Sequence, residues 1–539
     1  MLQYKIFLIT LSLNYLLAQI PQQFHFFDSE KLYRYEHNSI KGQIAHNAII
    51  DIKTLGDSLY YFGTGNGLSY GEIINNDSIN FGYFNFSNMP KGGNPAVASD
   101  GHSIAVSGVI DTATATGTEP KGTGIAYSTD IGETWTFLPQ PIDENPESGQ
   151  YHTIEWGGQE ISALAVTTEI NNVSYDLAIY DNYIYAVSWA GGLRRYQIGL
   201  MGENDNRAWE IIPLPRDDEL DLFCGIIDIS SYYLNPRDPA DDGYHNHKGF
   251  SVYINDNIIW VGTAAGINKG EFDGNCINWV GHYSSWQNNI SGNWVIGFTH
   301  QNFNNNTRIW AITWNADSQG EFSALSYTED DGETWHTTQP AGYPEKVYNL
   351  YANENRIWAA SESGLYFSEN GQYWEKISRS IDYHSEGELL TESVISVYFS
   401  ENNNWLWIGT EDGIAVSDDN GISWIVYRFW EKTEFNNSEK MLSAYPNPFL
   451  INDYNLVGGD GHVRFIYSNP NDQLGNIDIF DFSMDRVVQL TYTYLVDNHE
   501  SEIIWNGRNE YGKKVANGVY FCRLSLNGEY YWTKLAVIN

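Results

Sequence analysis

Cysteine, basic charge and long apolar runs are all scarce in this 539-residue chain. With Cys224, Cys276 and Cys522 as its only thiols, it has no disulfide framework to stand in for a core. A Cys224–Cys276 bridge fits one repeat of the sequence, but three buried thiols are the plain expectation. Only 29 Lys and Arg face 68 Asp and Glu, for a formal net charge of −39. Basic residues this sparse argue against a nucleic-acid or anionic-membrane partner, since phosphate recognition needs clustered cations. No long amphipathic helix is evident, and past the first residues no apolar run is long enough to span a bilayer. Aromatics, at 15%, and 49 glycines are plentiful instead, and favour short strands joined by tight turns.

The residues from Trp407 to Tyr427 (WIGTEDGIAVSDDNGISWIVY) read as three such strands. The second turn carries S-x-D-x-G-x-S/T-W at Ser417, Asp419, Gly421 and Trp424. In this box the carboxylate can accept N–H groups of its own turn, and the Trp can pack under the hairpin. Ser128, Asp130, Gly132 and Trp135 repeat it, as do Thr328, Asp330, Gly332 and Trp335. A copy one residue shorter holds Ser368, Asn370, Gly371 and Trp374. Strands resembling WIGT recur around Gly63, Ser107, Ser188, Gly262, Thr313, Ala360 and Gly409, which predicts about seven repeats. Short apolar strands before them, such as Ala48 to Ile52, Val347 to Tyr351 and Val394 to Tyr398, would line a central channel. Phe24 to Phe27 is a candidate strand to close the ring. The intervals 107–188 and 188–262 are long and hold insertions at Pro141–Gly158 and Arg216–Gly249, which would project from one face.

These boxes resemble the Asp-box (BNR) repeats of sialidase-like, sortilin-like and xyloglucanase-like propellers, and the WIGTEDGI strand resembles two-component-regulator propeller repeats. The resemblance implies an all-β fold with a roughly seven-bladed β-propeller over residues 24–430. It implies structure more than function, because the box stabilises a turn on the outside of a blade. A polar linker, 431–442, follows. Residues 443–539 then alternate short strands and turns, as a small β-sandwich would. This region resembles the C-terminal sorting domain of the type IX secretion system and the related FlgD-like Ig domain. The matching positions include Pro446, Asn447, Pro448, Phe449, Trp505, Gly507, Gly512, Gly518, Tyr520 and Lys534. Asn506 stands where that family often has Asp. The N-terminal MLQYKIFLITLSLNYLLAQ resembles a secretory signal peptide over residues 1–18, with cleavage near Ala18. Together these resemblances imply a secreted or surface protein that meets the secretion machinery through its C-terminal region.

The chemistry-bearing residues are less distinctive. The sialidase family's Arg-Ile-Pro signature and arginine triad are absent. A xyloglucanase-like hydrolase would need paired carboxylates across a cleft between two propellers, and here there is one. Asp238, Asp241 and Asp242, with His245 and His247, could supply a Ca2+ or transition-metal site, but their spacing departs from an EF-hand loop. A solvated acidic insertion with no cofactor is preferred. Trp156, Trp189 and Trp286 could stack on a sugar or anchor a protein ligand, or else pack over the channel ends. The sequence thus favours a non-catalytic binding module for a protein or polysaccharide, with a polysaccharide-acting glycoside hydrolase as the alternative.

Overall fold

The computed structural model describes residues 39–538 except 42, 57, 75–77, 116, 147–148, 200–208, 305, 317–318, 379–387, 430–440, 454, 470–472, 492–493 and 497–499. The signal-peptide and Phe24–Phe27 readings, and nearly all of the linker, lie outside the described residues.

The described chain is all-β. Seven antiparallel sheets follow one another, each built from four strands in sequence order, and the first gains Ser39–Lys41 at its outer edge. Their first strands are Ile49–Leu55, Val97–Ser99, Ser174–Tyr180, Gly249–Asn255, Trp294–Phe303, Val347–Ala352 and Ser396–Ser400. Each first strand packs on the next, and the last packs on the first, so the array closes on itself. The last sheet takes all four strands from Ser396–Tyr427, so the two ends meet by packing and not by sharing a strand. At that junction Trp407 lies against Tyr60 and Phe62, with ring centroids 4.4 and 5.6 Å apart.

A ring of side-chain latches runs along these contacts. The Asp51 carboxylate accepts from Val97 N (3.1 Å), Ser107 Oγ donates to Ser174 O (2.9 Å), and Asp176 accepts from Val252 N (2.9 Å). Ser251 Oγ donates to Val295 O and Trp314 Nε1 to Val347 O, both at 2.8 Å. Asn349 accepts from Val397 N, and Ser396 Oγ donates to Ile49 O, both at 3.2 Å. Every junction between consecutive sheets therefore has a side chain bonded to backbone of the next first strand, where an unmet polar group would be costly. In five first strands a bulge near the start resets the register just before Asp51, Asp176, Ser251, Gly297 or Asn349.

The same packing explains the recurring small residue. All seven marker positions fall on second strands. A Cβ on Gly262 would sit 2.3 Å from Val295 O, and one on Gly63 2.6 Å from Asn94 O. Backbone of the neighbouring sheet occupies the space a side chain would need.

The repeated boxes link the third and fourth strands of the second, fifth and seventh sheets. In the first, Asp130 accepts from Ser128 Oγ, Thr134 N and Thr134 Oγ1 at 2.5–2.8 Å, and Gly132 N donates to Ser128 Oγ. Asp330 and Asp419 repeat these bonds, and Trp135, Trp335 and Trp424 are buried beneath. In the shorter copy Gly371 N reaches Ser368 Oγ and Asn370 replaces the carboxylate. Burial opposes ionisation of Asp130, but the Thr134 and Ser128 hydrogen bonds hold its carboxyl below the usual range. Asp330→Ala is expected to cost about 1–2 kcal/mol, read as a lower urea midpoint at unchanged slope, whereas Asp330→Asn should retain part of that.

Residues 441–538 form a two-layer sandwich. Four strands, including Val463–Ser468 and Glu500–Trp505, face five that include Asn476–Phe480, Gly518–Leu526 and Glu529–Ile538. Phe449, Phe465, Trp505, Cys522 and Leu535 fill the space between. Asn447, between Pro446 and Pro448, donates to Lys534 O and accepts from Ala536 N, fastening the segment to the last strand. Gly512, at φ +75°, closes the turn over Asn509, and Gly518 opens the strand that pairs with the one carrying Lys534.

Candidate ligand site at the ring axis

With sequential antiparallel strands, the links from each fourth strand to the next first strand emerge on the same face as the second-to-third turns. The boxes lie on the opposite face. Both long insertions are fourth-to-first links, and they meet: Tyr151–Trp156, Gln159–Leu164 and Tyr233–Leu234 form one added sheet. A buried Arg194–Asp143 pair (2.6 Å) ties it to the third sheet. Cys224 and Cys276 are joined by a disulfide, which fastens the second insertion to the fourth sheet and corrects the expectation of three buried thiols. Cys522 alone remains a buried thiol. The bridge closes a loop over a separation of 52 residues. Loss of it in Cys224→Ser/Cys276→Ser should remove roughly 3–4 kcal/mol by chain entropy, seen as faster proteolysis within 216–249.

The second-to-third hairpin of the second sheet adds another wall, because its paired strands run past Gly108 to Thr114 and Gly117. The carboxy-terminal sandwich sits on the same face. Arg464, 1% exposed in its side chain, donates to both Asp412 oxygens (3.2 and 2.5 Å), to Glu502 (2.7 Å) and to Glu388 O (2.6 Å). Arg428 adds a second contact to Asp412. Burial alone would raise the Asp412 pKa, but Arg464 and Arg428 overcome it and hold the carboxyl below its usual range. Burial pushes neighbouring Glu411 up to about 7, against the hydrogen bond it accepts from Asn455 N. In the unfolded chain that carboxyl ionises near its ordinary value of 4.5, so its burial costs stability as pH rises from there through about 7. Glu411→Gln is therefore expected to raise Tm at pH 8 and leave it unchanged at pH 4.5.

A cavity of about 120 Å3 lies on the ring axis, among the first strands. Strands from five sheets line it, with Pro95 and Ile395 just ahead of the first strands of the other two, and its charged groups are Asp51, Lys53 and Asp176. Lys53 Nζ lies 2.9 Å from Asp51, with its side chain 38% exposed to the channel. Asp176 accepts from Val252 N and Leu177 N, and no ion pair to it occurs among the described residues. Its burial lifts the carboxyl to about 7, against the pull of Lys53. Aromatic walls come from Tyr175, Phe250 and Tyr348.

The tryptophans singled out in the sequence diverge. Trp156 is 2% exposed, in the core between the added sheet and the ring, with the Arg195 guanidinium 5.3 Å from its centroid. Trp189, half-buried, packs tilted against Phe250 and edge-on to Trp294 beside the cavity, under Lys248. Trp286, on the short helix Ser285–Asn288, is 56% exposed. Asp238 caps the turn Pro239–Asp241 through Ala240 N, while Asp241 and Asp242 face solvent. Among the described residues no three His, Cys, Asp or Glu are grouped as metal donors. His247 instead accepts from Asn235 N and contacts Leu214 O, and burial lowers it to about 4. The axial Asp51, Lys53 and Asp176 were missed in the sequence, although an Asp or Asn recurs at the third position of IIDI, SYDL and VYNL in the first strands.

No family model matches the chain, and no curated protein does. Solved structures with similarity include the WD40 β-propeller domain of Doa1, with TM-score 0.35 and 11% identity over 70% of this chain and 94% of that one. Apo AztD from Citrobacter koseri has TM-score 0.36 and 8% identity over 70% and 86%. The extracellular domain of the hybrid two component system BT4673 from B. thetaiotaomicron has TM-score 0.21 and 10% identity over 91% and 86%. The chain's own geometry, all-β with seven successive sheets closed into a ring, is that of a propeller-like fold.

Proposed function

We propose that this chain is an exported, seven-bladed Asp-box propeller that binds a protein or polysaccharide without transforming it, carried outside by residues 1–18 and by an Ig-like type IX sorting domain at 443–539. The observation that carries the binding reading is the axial cavity, whose lining joins aromatic faces to a few charged groups. Concave, aromatic-lined sites with a few placed polar groups are where ligands bind. The axial carboxylates accept backbone N–H groups of neighbouring strands, a role that fixes them as latches and favours binding over hydrolysis. A disulfide suits an oxidising compartment and supports export. The test is a panel of immobilised polysaccharides and surface proteins from the native host. Retention that Trp189→Ala weakens, without new reducing ends, is the expected result. New reducing ends would favour the hydrolase, and no retention by any member would overturn the reading.

A further inference from the structure

The axial cavity has a charge pattern that narrows its ligand. Lys53 holds Asp51 with one of its three donors, which leaves the ammonium accessible from the channel. Asp176, in the same cavity, has its two backbone bonds and no ion pair among the described residues, although Lys53 is near enough to act on its charge. With Asp51, Lys53 and Asp176 all ionised the cavity carries one net negative charge, inside a chain of strongly negative total charge. The fifth sheet contributes Gly297 where other first strands turn a side chain inward. A Cβ there would meet only Ile312 within 4 Å, so the glycine leaves the cavity open on that side. Tyr175, Phe250 and Tyr348 supply faces on which an organic cation is favoured.

Resting on the reading of this cavity as the ligand site, we infer that it accepts an amino-acid-like zwitterion, its ammonium at Asp176 and its carboxylate at Lys53. A simple anion meets two carboxylates, and a simple cation meets Lys53, so a molecule carrying both charges uses the site best. The zwitterion is either free or the exposed end of a larger ligand.

The pH dependence follows. The groups facing Asp176 are Lys53 and Asp51 from the first sheet, Tyr175 beside it, Tyr348 from the sixth sheet and Val252 N from the fourth. The ammonium binds the ionised carboxylate, which in the empty site forms as pH rises through about 7. Affinity should therefore rise between pH 6 and 8 and then level off.

The test is calorimetric titration of the full chain with L-amino acids, each alongside its decarboxylated amine and its deaminated acid. Asp176→Asn is the informative variant, because its amide oxygen can still accept from Val252 N while the charge is gone. The expected result is at least one amino acid binding more tightly than its amine and its acid, at least tenfold weaker in Asp176→Asn, with the pH dependence lost. Lys53→Gln should weaken the amino acid and spare the amine. A flat titration for every amino acid in the folded wild type, or equal affinity in Asp176→Asn, would overturn the inference. If a macromolecular ligand from the panel is still lost in Trp189→Ala, the binding reading survives that failure. If Trp189→Ala also changes nothing, both fall.

Discussion

Arg464→Ala is expected to destabilise the protein by about 3–5 kcal/mol and to split its thermal unfolding into two calorimetric transitions. The guanidinium neutralises Asp412 on the ring and Glu502 on the sandwich, all three essentially out of water. Alanine leaves two buried carboxylates without that partner, and Arg428 reaches only Asp412. The contact continues outward through backbone, with Glu392 N donating to Leu456 O and Gly458 N to Glu392 Oε1. Wild type should thus unfold ring and sandwich together. The double variant Arg464→Met/Glu502→Gln should recover part of the loss, because the stranded carboxylate is gone while Asp412 keeps Arg428. A single unshifted transition in Arg464→Ala would show that the sandwich does not depend on the network.

Gly409→Val is expected to cost several kcal/mol, and most of its molecules to aggregate on expression. A Cβ at this position would lie 2.2 Å from Ser396 Oγ and 2.6 Å from Ile49 Cγ2, between the seventh and first sheets. Both neighbours belong to the junction that closes the ring, so neither can withdraw without opening it. Ser396→Ala removes only the latch hydroxyl and should cost about 1 kcal/mol. The comparison separates overpacking from hydrogen-bond loss, with urea midpoints as the readout. Equal midpoints for Gly409→Val and wild type would contradict the close packing at closure.

What the sequence revealed and what it hid divide along physical lines. The small markers from Gly63 to Gly409 were legible because the neighbouring sheet packs close there, leaving no room for a Cβ at Gly63, Gly262 or Gly409, and the boxes because one turn geometry demands one set of donors and acceptors. Insertions were visible as long intervals, but nothing local announced that Gln159–Leu164 would pair with Tyr233–Leu234 from the other insertion. The Cys224–Cys276 bridge was open from spacing and settled only by proximity. Arg464 and Asp412 are 52 residues apart in a chain full of acids, so no charge pattern singled them out. Asp51 and Asp176 looked like ordinary polar members of alternating strands, because a bulge resets their register and only the closed ring brings them to one cavity. Trp156 carried the composition of a binding residue, yet the added sheet covers it.

The most direct test of the proposed export and binding role is intact mass spectrometry, with thiol labelling, of the protein recovered from outside native cells and from their cytosol. The account predicts an external chain lacking residues 1–18, with Cys224 and Cys276 joined and Cys522 as the single labelled thiol after unfolding. A cytosolic chain that retains Met1 and labels at three thiols would contradict it.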